Sequence, residues 1–360
     1  MTKTLRAGII GCGGIAFGKY LPALSKIKEA AVTAFCNTSL EKAEAARERF
    51  GAPGAEVFSD YRALLESGVD AVFVLTPNKS HARITVDALN AGKHVLCEKP
   101  MAASYEEALL MHETAEKTGK TLAIGYQNRF RPDSLYLKEL CLRGDLGEIY
   151  MAKARCLRRR GAPTWGAFLD KGRQGGGALL DIGVHALDLT LWLMGDYDVK
   201  SVRGAAYNKL AADPGCANRF GPWERESFTV EDSAFAFITM KSGATIFLEA
   251  SWLLNTTDER DPEASLFGTK AGAEMNNGKL SINGADAGKL YVKNIDLTSG
   301  GGAFYDGREI KTPGELETEN FIYSILNGTD PVVSSKQALA VTRVLEAVYQ
   351  SASEGREILL

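Results

Sequence analysis

The sequence predicts a two-domain α/β protein, in which a doubly wound parallel sheet is followed by an α+β domain whose larger sheet is mostly antiparallel. Three observations carry that expectation. The chain has 360 residues, more than the roughly 250 to 300 at which a single hydrophobic core stops growing. Residues 4–126 alternate short apolar runs with amphipathic stretches, the pattern of parallel strands separated by helices. After Asn128 the texture shifts to longer strand-like runs around one strongly apolar helix.

In the first region strands are expected over residues 4–10, 31–37, 71–75, 94–98 and 121–126, with helices over 39–50, 80–91 and 104–118. Gly92 and Gly119 stand where the last two helices would close on a left-handed cap. The second region offers a helix over 133–143, strands over 148–158, 230–240 and 244–254, and a helix over 180–194. Met240-Lys241-Ser242-Gly243-Ala244 reads as a hairpin turn between two alternating strands, which makes that sheet antiparallel. Two late helices, near 313–326 and 335–354, finish the chain, the last of them free to pack back on the first domain. No low-complexity linker intervenes, so the boundary near residue 126 is expected to be a packed connection.

Composition narrows the function. Apolar residues make up 45% and charged residues 24% of the chain, which argues against long disorder or coiled coil. Forty-two basic and forty-five acidic side chains leave a formal charge of -3, so no field recruits nucleic acid or an anionic membrane. No window approaches the roughly 20 uninterrupted apolar residues of a membrane span. The apolar stretch 5–17 is broken by Gly8, Gly11, Gly13 and Gly14 and has the wrong build for a signal peptide, so a cytoplasmic protein is expected. Six scattered cysteines without a C-x-x-C pair suggest reduced thiols, with no disulfide framework and no metal site.

Gly11-Cys12-Gly13-Gly14-Ile15-Ala16 directly follows the first strand and opens a helix, the context that a dinucleotide fingerprint requires. Gly11 permits the tight turn, Gly13 lets backbone approach a pyrophosphate, and Ala16 permits close helix packing beside free helix amides. Residues 1–126 therefore read as a Rossmann domain. The residue that ends the second strand, where an acid often meets the adenosine ribose, is Asn37. Thr38, Ser39 and Lys42 could accommodate an extra phosphate, so NAD and NADP both stay open, with NAD favoured.

Thr76-Pro77-Asn78 with His81, then Glu98-Lys99-Pro100, then Asn128-Arg129-Phe130 and the run from Gly175 to Asp188 occur in an order that resembles the Gfo/Idh/MocA family of NAD(P)-dependent oxidoreductases. The resemblance covers nearly the whole chain. It implies cofactor contacts from Gly11, Gly13, Gly14, Ile15, Asn37, Thr38, Lys42, Thr76, Pro77, Asn78, His81, Glu98, Lys99, Gln127 and Trp165. It also implies that Lys99, Asp181 and His185 form the catalytic set, with His185 as general acid/base, Asp181 assisting it and Lys99 polarising the substrate oxygen. Which of Lys99 and His185 moves the proton stays open.

The residues support the same site. Ligands of open parallel sheets lie beyond the carboxyl ends of the strands, where Thr76, Glu98 and Lys99 fall. Asp181 and His185 are four apart, on one face of the helix expected over 180–194, and the glycine run before it would give a substrate room. Asp188 is expected to anchor that helix to the sheet, and His94 and His112 receive no catalytic role.

Arg158-Arg159-Arg160, followed by Trp165, reads either as a solvated strand end or as a loop over nicotinamide and substrate. In the second case Trp165 offers a stacking face and Arg158, with Arg129, binds substrate hydroxyls; Phe304-Tyr305 could add a further aromatic face. Residues 127–360 would then bind substrate and mediate oligomerisation. The resemblance implies hydride transfer between NAD(P) and a secondary hydroxyl or ketone of a sugar, glycoside or cyclitol, carbon three of a glycoside fitting the wide loop. A redox-neutral enzyme with tightly held NAD(H), and a non-catalytic nucleotide sensor, are the alternatives. A homodimer or homotetramer is expected.

Overall fold

A computed structural model describes residues 4–213, 215, 217–297 and 311–360. Contacts divide the chain into two compact units, residues 1–127 with 311–342, and residues 128–310 with 343–360.

The first unit holds six strands: β1 Leu5–Ile10, β2 Ala30–Cys36, β3 Glu56–Phe58, β4 Ala71–Val74, β5 His94–Glu98 and β6 Leu122–Gly125. All pair in parallel, in the order β3-β2-β1-β4-β5-β6. β4 is buried at every residue, as helices on both faces of a parallel sheet require. β3, a three-residue edge strand, has too few positions to show alternation and was absent from the sequence expectation. A wide π turn over Ala16–Tyr20 runs into α1 Leu21–Leu24, followed by α2 Leu40–Phe50, α3 Tyr61–Glu66, α4 His81–Asn90 and α5 Tyr105–Thr118. Ser104 caps α5 by accepting from the Glu107 amide, and Gly119 ends it at φ 63°. The strand order reverses between β1 and β4, which puts a ligand crevice at their carboxyl ends.

Among the described residues the second unit carries nine strands. They are β7 Ile149–Leu157, β8 Val199–Tyr207, β9 Ser233–Met240, β10 Thr245–Ser251, β11 Arg260–Gly268, β12 Ala271–Asn276, β13 Lys279–Asp286, β14 Lys289–Ile295 and β15 Ile358–Leu359. Their order is β14-β13-β12-β11-β7-β10-β9-β8-β15. The sheet is antiparallel except where β10 runs parallel to β7. The expected hairpin joins β9 to β10, with the Met240 amide donating to Ala244 O at 2.8 Å and Gly243 at φ 95°. Helices α6 Pro132–Arg143, α7 Lys171–Gln174 and α8 Val184–Met194 complete this part.

The helix expected over 180–194 is thus two pieces, a π turn over Leu179–Gly183 and then α8. Lys171–Met194 is long and apolar enough to cross a bilayer, yet 83% of its most apolar window is buried in the protein. The chain closes with α9 Pro313–Asn327, in the first unit, and α10 Ser335–Glu354, which belongs to the first unit up to Thr342 and to the second from Arg343.

Candidate active site

In the first unit the glycine turn is built as the sequence requires. Gly11 has φ 103°, and a Cβ there would stand 2.6 Å from Leu75 O, so only glycine lets the turn after β1 pass the end of β4. Gly13 and Gly14 differ. No protein atom lies within 4 Å of where their Cβ would be, and both are exposed, as is Ile15. That open cradle of backbone ahead of a helix start fits the pyrophosphate of a dinucleotide. Asn37, half-buried at the end of β2, closes the turn: its Oδ1 accepts from the Cys12 amide at 3.2 Å and its Nδ2 donates to Ser39 O at 3.1 Å. Thr38 and Lys42 beside it are exposed.

Beyond β4, Ser80 Oγ donates within the Thr76–Ser80 turn, lying 2.7 Å from both Thr76 Oγ1 and Pro77 O. Pro77 is exposed; Asn78, and Gln127 beyond β6, are half-buried. Two residues expected to touch the cofactor are instead turned inward. His81 is 1% exposed, with Nδ1 2.9 Å from Pro100 O and Nε2 2.7 Å from Thr76 O. Carbonyls only accept, and burial outweighs the pull of these two contacts and lowers the His81 pKa, so the neutral ring donates to one carbonyl or the other according to its tautomer. His81 therefore clamps the turn after β4 to the turn after β5.

Glu98 is likewise buried. Its Oε1 accepts from Lys19 Nζ at 3.0 Å and from the Tyr20 hydroxyl at 2.8 Å, and its Oε2 accepts from the Lys99 amide at 2.9 Å. Burial pushes the Glu98 carboxyl up, but Lys19 and Lys99 outweigh it and hold the group below the ordinary range. Its work is to fix the backbone of Lys99. From Val95 to Ala102 every residue is buried except Lys99, which is part-exposed at the carboxyl end of β5.

In the second unit the same pattern marks Asp181 and His185. Between Gly176 and Leu193 they are the two positions that keep access to solvent, one in the π turn and one in the first turn of α8. π turns recur at functional sites because the widened backbone redirects side chains. Asp181 Oδ2 accepts from Trp252 Nε1 at 3.0 Å, and Trp252 is fully buried just beyond β10. The glycine run does not make room for a substrate. A Cβ on Gly176 would stand 2.1 Å from Tyr349 Oη, and one on Gly177 would stand 2.1 Å from Glu231 O. The space is taken by Glu231, whose carboxylate accepts from the amides of Gly177 and Leu179 and from Tyr349, all at 2.8 to 2.9 Å. Burial pushes the Glu231 pKa up against those bonds.

Arg129, expected to bind substrate, is fully buried and forms a bidentate pair with Asp188, Nε to Oδ2 at 3.0 Å and Nη2 to Oδ1 at 2.5 Å. It presents no donor to a ligand, and Asp188 anchors α8 to Arg129 rather than to the sheet. Arg158 folds back on its own loop, Nη1 donating to Gly161 O at 3.1 Å. Arg160 donates to Leu254 O and Asn255 Oδ1. Trp165 stays 53% exposed, packed edge-on against Phe220 at 4.8 Å and Phe168 at 5.9 Å. Phe304 and Tyr305 lie outside the described residues. Trp252, Glu231 and Tyr349 were missed in the sequence because their partners lie 52 or more residues away and leave no local spacing.

Residues 5–126 match the oxidoreductase family with an NAD-binding Rossmann fold, and residues 134–274 match the GFO/IDH/MocA C-terminal domain. The chain belongs to the Gfo/Idh/MocA oxidoreductase family. Among its relatives is a D-glucoside 3-dehydrogenase of Escherichia coli (strain K12), 34% identical over 100% of this chain and 98% of that protein. A glucose-6-phosphate 3-dehydrogenase of Bacillus subtilis (strain 168) is 34% identical over 55% of this chain and 56% of its own length. In structure, an aldose-aldose oxidoreductase from Caulobacter crescentus superposes with a TM-score of 0.80 at 25% identity, covering 99% of this chain and 100% of that one. As a member of the family, the protein is an oxidoreductase with an NAD-binding Rossmann domain.

Proposed function

We propose that this family member oxidises the secondary hydroxyl at ring carbon three of a glucoside or related sugar, or reduces the corresponding ketone, using NAD(H) in preference to NADP(H). The observation that carries this reading is full-length similarity to a D-glucoside 3-dehydrogenase. A partial relative is also named for carbon three. The part-exposed Lys99, Asp181 and His185, each set among buried neighbours, support the same reading.

When bound, the nicotinamide cofactor supplies the hydride acceptor or donor. Gly11 to Ile15 would hold its pyrophosphate and Asn37 would border its ribose. The chain's own work is proton transfer and charge stabilisation at the substrate oxygen. Lys99 donates a hydrogen bond to that oxygen and stabilises the negative charge that grows as the hydroxyl loses its proton. His185 takes up the proton in oxidation and returns it in reduction. Asp181, held by Trp252, stands four residues before His185 and assists it. Exposed Trp165 gives an apolar face on which a sugar ring can stack.

Deuterium at ring carbon three tests the assignment. It should appear in the reduced nicotinamide, and label retained in the sugar while cofactor is reduced would refute the carbon assigned. The aldose-aldose oxidoreductase likeness favours one second reading, a redox-neutral cycle on held cofactor. Its test is nucleotide released on denaturing the purified protein.

A further inference from the structure

A buried charge cluster stands behind Lys99, and one of its members has no part in the chemistry above. α9 carries Glu317 to Lys19 and Glu98. Lys19 Nζ lies 3.0 Å from Glu98 Oε1 and 2.6 Å from Glu317 Oε2, with side chains 8%, 10% and 3% exposed. The Tyr20 hydroxyl lies 2.8 Å from Glu98 Oε1 and 3.2 Å from Glu317 Oε2, with one proton to donate. Glu317 Oε1 is buried without a hydrogen-bond partner. Two glycines keep the space open: a Cβ at Gly125 would meet Tyr20 Oη at 2.8 Å, and one at Gly314 would meet Lys19 Cγ at 2.9 Å.

The charge count gives the cluster a switchable state. Lys19 is the one ammonium that touches both carboxylates, and the part-exposed Lys99 acts on Glu98 alone, so ionising both leaves Glu317 sharing its cation in an interior that penalises an uncompensated charge. A proton on Glu317 removes that charge. Burial above all, with the nearby Glu98 carboxylate, pushes the Glu317 pKa up to about 7, against the pull of Lys19. Lys19, Tyr20 and Glu98 are the titratable groups that face it from the π turn and β5.

We propose that Glu317 is a positioning residue for Lys99, its protonation deciding whether Lys19 and Tyr20 serve Glu98 alone or divide between two anions. Glu98 in turn holds the Lys99 amide. This rests on the reading of Lys99 as the group that serves the substrate oxygen. With Glu317 neutral, Lys19 and Tyr20 bind Glu98 firmly and Lys99 is fixed. As pH rises through neutrality Glu317 ionises, draws Lys19 and the Tyr20 proton to itself, and loosens that hold. Turnover therefore falls on this limb while cofactor and substrate affinity stay nearly constant.

The test is the pH profile of kcat and KM for wild type, Glu317→Gln and Glu317→Asp, with cofactor dissociation constants measured separately by fluorescence. Gln imitates the neutral acid. The ratio of E317Q to wild-type kcat should rise by about threefold or more between about pH 6 and about pH 8, with KM and the cofactor constant flat. E317D, which keeps the acid on a shorter stem, should move the step along the pH axis, and it carries the test if E317Q does not fold. A ratio independent of pH in E317Q, or an E317D profile that overlays wild type, would overturn the proposal. Lys99→Ala is the control on its premise: undiminished kcat there would refute the Lys99 reading and this proposal with it.

Discussion

Asp188→Asn separates a structural arginine from a substrate-binding one. Arg129 is 0% exposed and Asp188 1%, and their two hydrogen bonds join the segment after β6 to the middle of α8. Asparagine keeps the size and one acceptor but removes the charge, which leaves a guanidinium buried without a counterion. Breaking such a pair costs about 3 to 5 kcal/mol. With a shift of about 2 to 4 °C per kcal/mol for a unit of this size, the melting midpoint should fall by roughly 6 to 20 °C. Trp192 reports locally, because its ring lies 5.7 Å from the Arg129 guanidinium, so fluorescence-detected urea unfolding follows the right region. The double variant Arg129→Met, Asp188→Leu removes both charges and should recover most of the loss, since apolar replacement of a buried pair is often neutral. It should also keep the wild-type KM for sugar. A loss below about 1 kcal/mol in D188N, or a KM raised in the folded double variant, would refute the structural assignment.

The remaining expectations concern the cofactor turn and the sheet. Gly13→Val places a side chain where no protein atom stands within 4 Å, so the cofactor-free melting midpoint should hold while cofactor affinity drops by tenfold or more, on the order of 1.4 kcal/mol; a lowered midpoint with unchanged affinity would contradict the open cradle. Asn37→Asp keeps an acceptor for the Cys12 amide but loses the bond to Ser39 O, and should raise the preference for NAD over NADP. Ratios of kcat/KM for the two cofactors check it. Phe237 and Phe247 pair across β9 and β10 with ring centroids 5.1 Å apart, and both remain about two-fifths exposed on one sheet face. If that face joins copies of the chain, Phe247→Glu should lower the mass measured by light scattering; an unchanged mass would exclude this face as the contact.

Much of the first unit was legible because its rules are local. A strand, a glycine turn and a helix start are written in adjacent residues, and β1, β2, β4, β5 and β6 fall within a residue or two of expectation. The edge strand β3, the strand β8, the later strands β11 to β14 and the two-residue β15 were not expected. They are short or carry Asn, Asp or Gly, so pairing rather than pattern defines them. For the site, the family resemblance brought forward Lys99, Asp181 and His185 as the catalytic set, which stays a proposal; each is part-exposed among buried neighbours. What spacing misread was the purpose of the polar and glycine residues around them. Gly176 and Gly177 look like ligand space but admit Tyr349 and Glu231, and Arg129 and Glu98 look like ligand contacts but are consumed by Asp188, Lys19 and Tyr20. Each of those partners lies far away in sequence, where no local pattern announces it.

Hydride transfer at ring carbon three is tested directly by the absorbance of reduced nicotinamide as purified protein turns over a glucoside, its 3-deoxy analogue and its 2-deoxy analogue. The expected result is reduction of NAD with the parent and the 2-deoxy compound, none with the 3-deoxy compound, and a rate lowered by roughly 10²- to 10⁴-fold in Lys99→Ala and His185→Ala. Reduction that persists with the 3-deoxy sugar, or that survives undiminished in both variants, would contradict it.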